Sequence, residues 1–249
     1  MRTFKNIAGA IFTIWAGIIF LVTMMILFIP MWATKFWDEP RRTAIFINIS
    51  RIWMAVFLPL AGIRLTIKGR EHFKKGENYI VVCNHNSMMD VPVSSPGIPG
   101  PNKTIAKIEM ARIPLFGMVY KRGSVLVDRQ SDQSRKDSFN EMKKVLDLGM
   151  HMCIYPEGTR NKTDRPLKEF HDGAFRLAVQ TGKPILPAVI FNTRIVLPFD
   201  KKFFFWPHPV AMHFIEPVYV KKNDDYVKLK EKIFGIMWKY IENENNQRL

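Results

Sequence analysis

The sequence predicts an α/β protein: a mixed, mostly parallel sheet covered by helices, preceded by an N-terminal membrane-embedded helical pair. Three observations carry this reading. Short β-branched runs alternate with helical patterns from about residue 70 onward, the rhythm of a sheet with helices on its faces. Two long apolar stretches fill the first 63 residues instead. The residues richest in chemistry follow predicted strands directly, where open α/β sheets place their sites.

Ile7 to Ile29 carries no charge over 23 residues. As a helix it is about 34 Å long, enough to cross a hydrocarbon core of ~30 Å. A cleaved signal peptide has a shorter apolar core followed by a small-residue site, a pattern this segment does not show. It reads as an uncleaved anchor. A second stretch, Ala44 to Ile63, contains Asn48, Ser50, Arg51 and Pro59. Arg51 at its middle is costly in lipid, so this is the poorer spanning segment. The link holds Lys35, Arg41 and Arg42 beside Trp32 and Trp37, a composition suited to the headgroup layer. Arg2, Lys5, Arg64, Lys68 and Arg70 flank the outer ends. Either both helices cross and the link lies outside, or the pair dips into one leaflet and returns. The positive-inside rule favours keeping every end cytoplasmic, hence a monotopic pair.

Beyond this, Tyr79 to Cys83, Val125 to Val127, Cys153 to Tyr155, Ile185 to Phe191 and Val210 to Ile215 read as strands. Ser131 to Leu148 reads as a helix with Phe139, Met142, Val145 and Leu146 on one side. Gly173 to Thr181 is a shorter helix. Asp224 to Glu242 is a third, with an Asp cap and apolar Leu229, Ile233 and Met237. The expected division is an anchoring pair over 1–67 and a catalytic domain over 68–249.

At 249 residues the chain is one domain with an appendage. Its 47% hydrophobic and 24% charged residues exclude a disordered or collagen-like chain. Two cysteines, Cys83 and Cys153, cannot build a disulfide scaffold, and without a C-x-x-C pair a zinc ribbon is out. A reducing compartment fits. The net charge is +15, and residues 1–70 hold nine basic and two acidic residues. That bias beside the apolar segments favours anionic lipid headgroups over nucleic acid, for which no reading motif is present.

Asn84-His85-Asn86-Ser87-Met88-Met89-Asp90 follows the first of these strands. His85 and Asp90 would sit roughly 140° apart on an ideal helix, so only a turn at the strand end unites them. United, Asp90 orients the imidazole and His85 becomes a free base. Taken alone, the spacing also suits a loop histidine. Cys83 or Ser87 as nucleophile competes with a buried strand residue and a turn hydroxyl. A metal site from His85, Asp90 and His151 lacks supporting spacing.

Tyr155-Pro156-Glu157-Gly158-Thr159-Arg160 follows another strand. Gly158 allows positive φ or close backbone approach, and Arg160 offers a fork suited to phosphate. Glu157 either holds that arginine or caps the loop. Lys107 and Arg129 follow in two further clusters, and with Arg160 they could converge on one anion. Each alone suits a solvated charge.

Together these residues resemble the lysophosphatidic acid acyltransferases of the glycerolipid acyltransferase superfamily. N-H-x-S-x-x-D is matched by Asn84, His85, Ser87 and Asp90. K-x-E…P-x-x-G and G-x-x-x-V-D-R are matched by Lys107, Glu109, Pro114, Gly117, Gly123, Asp128 and Arg129. Y-P-E-G-T-R is matched by Tyr155 to Arg160. An apolar strand with a central proline is matched by Ile185 to Val189 around Pro187. The order and spacing cover roughly residues 65–195. One departure is Asp172 beside Gly173, where family members often carry a basic residue.

The resemblance implies a reaction. His85, oriented by Asp90, deprotonates the sn-2 hydroxyl of lysophosphatidic acid, which attacks an acyl thioester to give phosphatidic acid. Acyl-CoA or acyl carrier protein is the co-substrate, with no metal and no other cofactor. Lys107, Arg129, Glu157, Gly158, Thr159 and Arg160 form the substrate-binding shell, with Asn84, Ser87 and Pro187 in support. The implied place is the cell (inner) membrane with the catalytic domain in the cytoplasm. Phe203 to Trp206, beside Lys201 and Lys202, is a further candidate for the headgroup layer, against burial in the domain. Another lysolipid, glycerol 3-phosphate, and a lipid-binding scaffold are the competing functions. Chain length, donor type and oligomeric state stay open.

Overall fold

The computed structural model describes residues 2–246, with side chains from Phe4 onward, so the Arg2 side chain lies outside them. Helix α1 (Arg2–Ala33) and helix α2 (Arg41–Leu60) form an antiparallel hairpin. Trp15 Nε1 donates to the Leu60 carbonyl at 2.9 Å, and Trp53 Nε1 donates to Thr23 Oγ1 at 2.9 Å. Thr13 and Thr23 donate to the carbonyls of Gly9 and Ile19 at 2.7 Å, so neither hydroxyl is left bare on the apolar helix. Both helices are long and apolar enough to cross a membrane. Ile7, Ile11, Ile14, Ile18, Met25 and Ile29 form an exposed stripe on α1, an apolar face a water-facing surface rarely bears.

Strands β1 (Leu65–Lys68) and β2 (Ile80–Cys83) come next, then α3 (Asp90–Gly97) and β3 (Asn102–Lys107). After them run α4 (Phe116–Gly123), β4 (Ser124–Val127), α5 (Asp132–Asp147) and β5 (His151–Ile154). The chain closes with α6 (Gly173–Thr181), β6 (Ile185–Phe191), α7 (Thr193–Val196), β7 (Val210–Phe214) and α8 (Tyr226–Asn246). The seven strands lie in the order β1-β7-β6-β2-β5-β3-β4. β6, β2, β5, β3 and β4 run parallel, while β7 and β1 run the other way. The sheet is mixed and mostly parallel, as expected.

Strand side chains alternate between two cores. Val81, Cys83, Cys153, Leu186 and Ala188 pack under the hairpin with Ala16, Ile19, Trp53 and Phe57. Ile80, Val82, Met152, Ile154 and Val189 pack against α5, α6 and α8 through Leu146, Phe175, Leu177 and Ile233. The hairpin is therefore one of the two layers covering the sheet. The expected division at 67/68 falls inside β1, whose Leu65 to Lys68 pair with Val210 to His213.

Two open points resolve. Arg51, too costly for a spanning segment, turns back onto the protein. It donates to the carbonyls of Pro96, Ile98 and Gly100 at 3.1, 2.7 and 2.9 Å, toward the turn after α3. Of the Phe203–Trp206 loop, Phe204 and Phe205 are buried and only Phe203 is exposed. Phe204 lies against Gly9, where an added Cβ would come within 2.3 Å of its ring.

Candidate active site

The site stands at the carboxyl ends of the parallel strands. Two residues past β2, His85 is fixed by its backbone before its ring does anything. Its N–H donates to Glu157 Oε1 at 2.7 Å, and its carbonyl accepts the Asn161 N–H at 2.6 Å. Asn84, just before it, clamps Ile190 with its amide, donating at 3.0 Å and accepting at 2.7 Å. The turn that the spacing requires is present. Ser87 Oγ donates to the Leu197 carbonyl at 2.8 Å and accepts the Met89 N–H at 3.2 Å. This brings Asp90, the first residue of α3, back beneath the imidazole.

His85 Nδ1 and Asp90 Oδ2 are 2.8 Å apart. Asp90 is wholly buried. Oδ2 also accepts the N–H groups of Asn86 at 2.6 Å and Ser87 at 2.8 Å, and Oδ1 accepts Thr193 Oγ1 at 2.5 Å. An oxygen already taking two backbone donors is an acceptor, so Nδ1 is the donor. The free lone pair is then on Nε2. The Tyr155 ring lies 4.5 Å from the imidazole, centroid to centroid, and its hydroxyl bonds Ser94 Oγ at 2.6 Å. Burial raises the tyrosine pKa well above its ordinary value.

Of the two roles the sequence leaves open for Glu157, holding Arg160 or capping the loop, the structure shows the second. Glu157 is buried and does not reach Arg160. Its second oxygen accepts the Lys168 N–H at 2.9 Å, so both oxygens bond backbone groups. Burial raises its pKa to about 7, against the opposing pull of the two N–H donors and the nearby imidazole. Gly158 has φ +69°, and an added Cβ would meet the His171 ring at 2.7 Å. Arg129 donates to the Gly158 carbonyl. Thr159 Oγ1 accepts Lys168 Nζ at 2.8 Å. Lys107 is exposed at the end of β3, and β3 pairs with β4, the strand leading to Arg129. Arg129 is thus tied to the loop of Arg160, while Lys107 shares only the same rim. Lys107 and Arg160 form no ion pair or side-chain hydrogen bond among the described residues.

Pro187 lies in β6 opposite Val82. Its carbonyl accepts the Ile215 N–H at 2.8 Å, and β6–β7 pairing begins one residue later at Ala188. The donor that proline lacks thus falls at the ladder's end. Asp172 precedes α6 and bonds Lys230 at 2.7 Å, which holds its carboxyl below the usual range and ties α6 to α8. The departure from the motif is thus a link between helices.

The rival chemistries come apart. Cys83 is buried, with its sulfur 3.8 Å from that of Cys153. That contact and burial push its thiol pKa up, away from a reactive thiolate. His151 starts β5 at the opposite sheet end, where its Nδ1 accepts the Tyr79 N–H at 3.0 Å. Burial lowers its pKa to about 4. His85, Asp90 and His151 do not meet.

Beside the dyad, a cavity of about 390 Å³ runs between the hairpin and α3–α4. Phe20, Trp53, Phe57, Met88, Met89 and Phe116 line it, a surface suited to a hydrocarbon chain. Sequence reasoning missed Thr193, Lys168 and the Ser94–Tyr155 pair. Thr193 carried the one usable signal, a hydroxyl directly beyond a buried strand.

Fold and site together define the class. The chain belongs to the acyltransferase family, whose model, described as "Acyltransferase", matches residues 64–191. It is similar to the 1-acyl-sn-glycerol-3-phosphate acyltransferase of Cocos nucifera, 32% identical over 173 residues, covering 69% of this chain and 54% of that one. The protein of the same name from Borreliella burgdorferi is 33% identical over 144 residues, 57% of each chain. The chain thus spans little more than half the length of these curated relatives. The crystal structure of the 1-acyl-sn-glycerophosphate (LPA) acyltransferase PlsC from Thermotoga maritima shares its fold, with TM-score 0.79 over 98% of both chains at 21% identity.

Proposed function

We propose that this protein transfers an acyl chain from a thioester, acyl-CoA or acyl carrier protein, to the sn-2 hydroxyl of lysophosphatidic acid. The observation that carries the reading is the Asp90–His85 pair, with Nδ1 committed to the carboxylate and Nε2 left as a base. Nε2 takes the hydroxyl proton as the oxygen attacks the thioester carbon. The C–O bond forms, the C–S bond breaks, and the imidazolium returns its proton to the leaving thiolate. No step in this scheme uses a metal or another cofactor.

Lys107, Arg129 and Arg160 hold the acceptor phosphate on the rim, with Lys168 and Thr159 beside them. The apolar cavity takes a hydrocarbon chain. The hairpin sits in one leaflet with α1's exposed stripe in the acyl region, which keeps a membrane-held acceptor within reach. The catalytic side is cytoplasmic, where thioester donors are made.

The test is thiol release by detergent-solubilised protein given palmitoyl-CoA with and without lysophosphatidic acid, with lipid products identified. Acceptor-dependent release that yields phosphatidic acid is expected. Release of free fatty acid without acceptor would make the protein a thioesterase instead.

A further inference from the structure

Away from the dyad, a second cavity of about 630 Å³ lies where α2, β1 and the end of α3 meet. Its lining has two parts. Leu58, Pro59 and Ile63 supply apolar surface, while Arg51, Arg64 and Arg70 supply positive charge, and no acidic residue lines it. Arg51 rests on the Pro96 carbonyl at 3.1 Å and Arg70 on the next one, Gly97, at 3.3 Å. The remaining bonds of Arg51 go to Ile98, Gly100 and the Asn48 amide oxygen. Among the described residues no carboxylate pairs with Arg51, Arg64 or Arg70. Neutral oxygens hold the guanidinium groups of Arg51 and Arg70 in place but leave their charge uncompensated.

Uncompensated guanidinium charge beside an apolar wall complements an anionic head on a hydrocarbon chain. The wall is also open on the side facing the apolar phase. Ala55 and Pro59 are exposed on α2, next to exposed Ile52 and Val56. A soluble anion would use the arginines and leave that wall bare.

We propose that this cavity binds one anionic phospholipid from the surrounding leaflet, its headgroup on Arg64 and Arg70 and a chain along α2. The proposal rests on the membrane reading of the hairpin, and is independent of the acyl-transfer chemistry. The site is separate from the dyad. Met54 and Pro96 are shared between this cavity and the one beside His85, and so stand as the wall between them.

The experiment uses delipidated full-length protein in neutral detergent, with bound lipid counted by native mass spectrometry. Phosphatidylglycerol, phosphatidylcholine and glycerol 3-phosphate are the probes. One retained phosphatidylglycerol is expected, preferred over phosphatidylcholine by about tenfold or more. R64Q/R70Q changes two exposed side chains and should erase that preference. A55W fills the cavity with all three arginines in place and should remove the bound lipid. Equal retention of both lipids, or unchanged retention in both variants, would overturn the proposal. Displacement by an equal concentration of glycerol 3-phosphate would overturn it too, because the site would then read the anion alone. Flotation with neutral phosphatidylcholine vesicles is expected of the wild type and both variants. Failure of the wild type to float would remove the membrane reading itself.

Discussion

The Glu157 carboxylate accepts the backbone N–H of His85 at 2.7 Å across a separation of 72 residues. His85 is therefore located by two loops. The β2 loop supplies the ring and its carboxylate, and the β5 loop pins the backbone from behind. The chemistry proposed for His85 then depends on a residue bonded to its backbone.

Replacing Glu157 with Gln separates these roles. The amide nitrogen cannot accept the second N–H, so one buried donor is left bare at a cost of about 1–3 kcal/mol. Turnover should fall although His85 and Asp90 are intact, and thermal melting should move down. A variant with unchanged melting and rate would show that the backbone pin is dispensable.

The same residue gives a pH dependence. Its folded pKa, about 7, lies above the ordinary value of 4.5. Its contribution to stability is therefore full below pH 4.5 and lost as pH rises through 7, by on the order of 3 kcal/mol. Denaturant unfolding between pH 5 and 8 should show this slope in the wild type and a flatter one in E157Q. Parallel slopes would refute the shifted ionisation.

His85→Ala should lower turnover by about 100-fold or more and leave folding nearly unchanged, because its ring is not a core element. Asp90→Asn should also lose rate, but with lower stability, since a buried amide cannot accept all four of the present bonds. Single-turnover kinetics and melting curves on both variants distinguish base from orienting group.

Arg160→Ala should raise the KM for lysophosphatidic acid by about tenfold, the worth of one charge-assisted phosphate contact, with kcat little changed. A fall in kcat at constant KM would remove Arg160 from phosphate binding.

Cysteine introduced across residues 35–43 tests the hairpin's place. In intact cells a membrane-impermeant thiol reagent should fail to label it and should label it after lysis. Labelling from outside would replace the one-leaflet arrangement with two crossings.

The strands and site were legible where local pattern and chemistry coincide. Ile185–Phe191 is unbroken β-branched and apolar sequence, and β6 has those bounds. The Asp90–His85 contact was implied by the motif's resemblance, while the residues alone showed only that it required a turn. Helix α3 was hidden because Pro92 and Pro96 read as breakers, yet Pro92 falls in the first turn, where its missing N–H costs nothing. β3 was masked by polar Asn102, Lys103 and Thr104, two of them buried by tertiary contacts that no local window contains. Which of its two roles Glu157 takes was not legible, because its partners are backbone groups of His85 and Lys168, and backbone groups leave no mark in a sequence.

The hairpin's inner face shares one hydrophobic core with Val81, Cys83 and Leu186 of the sheet. The protein consequently has no soluble half. A fragment starting at β1 should expose the part of the sheet that the hairpin covers and tend to aggregate. With the hairpin in lipid as proposed, extracting it and unfolding the sheet layer are parts of a single event.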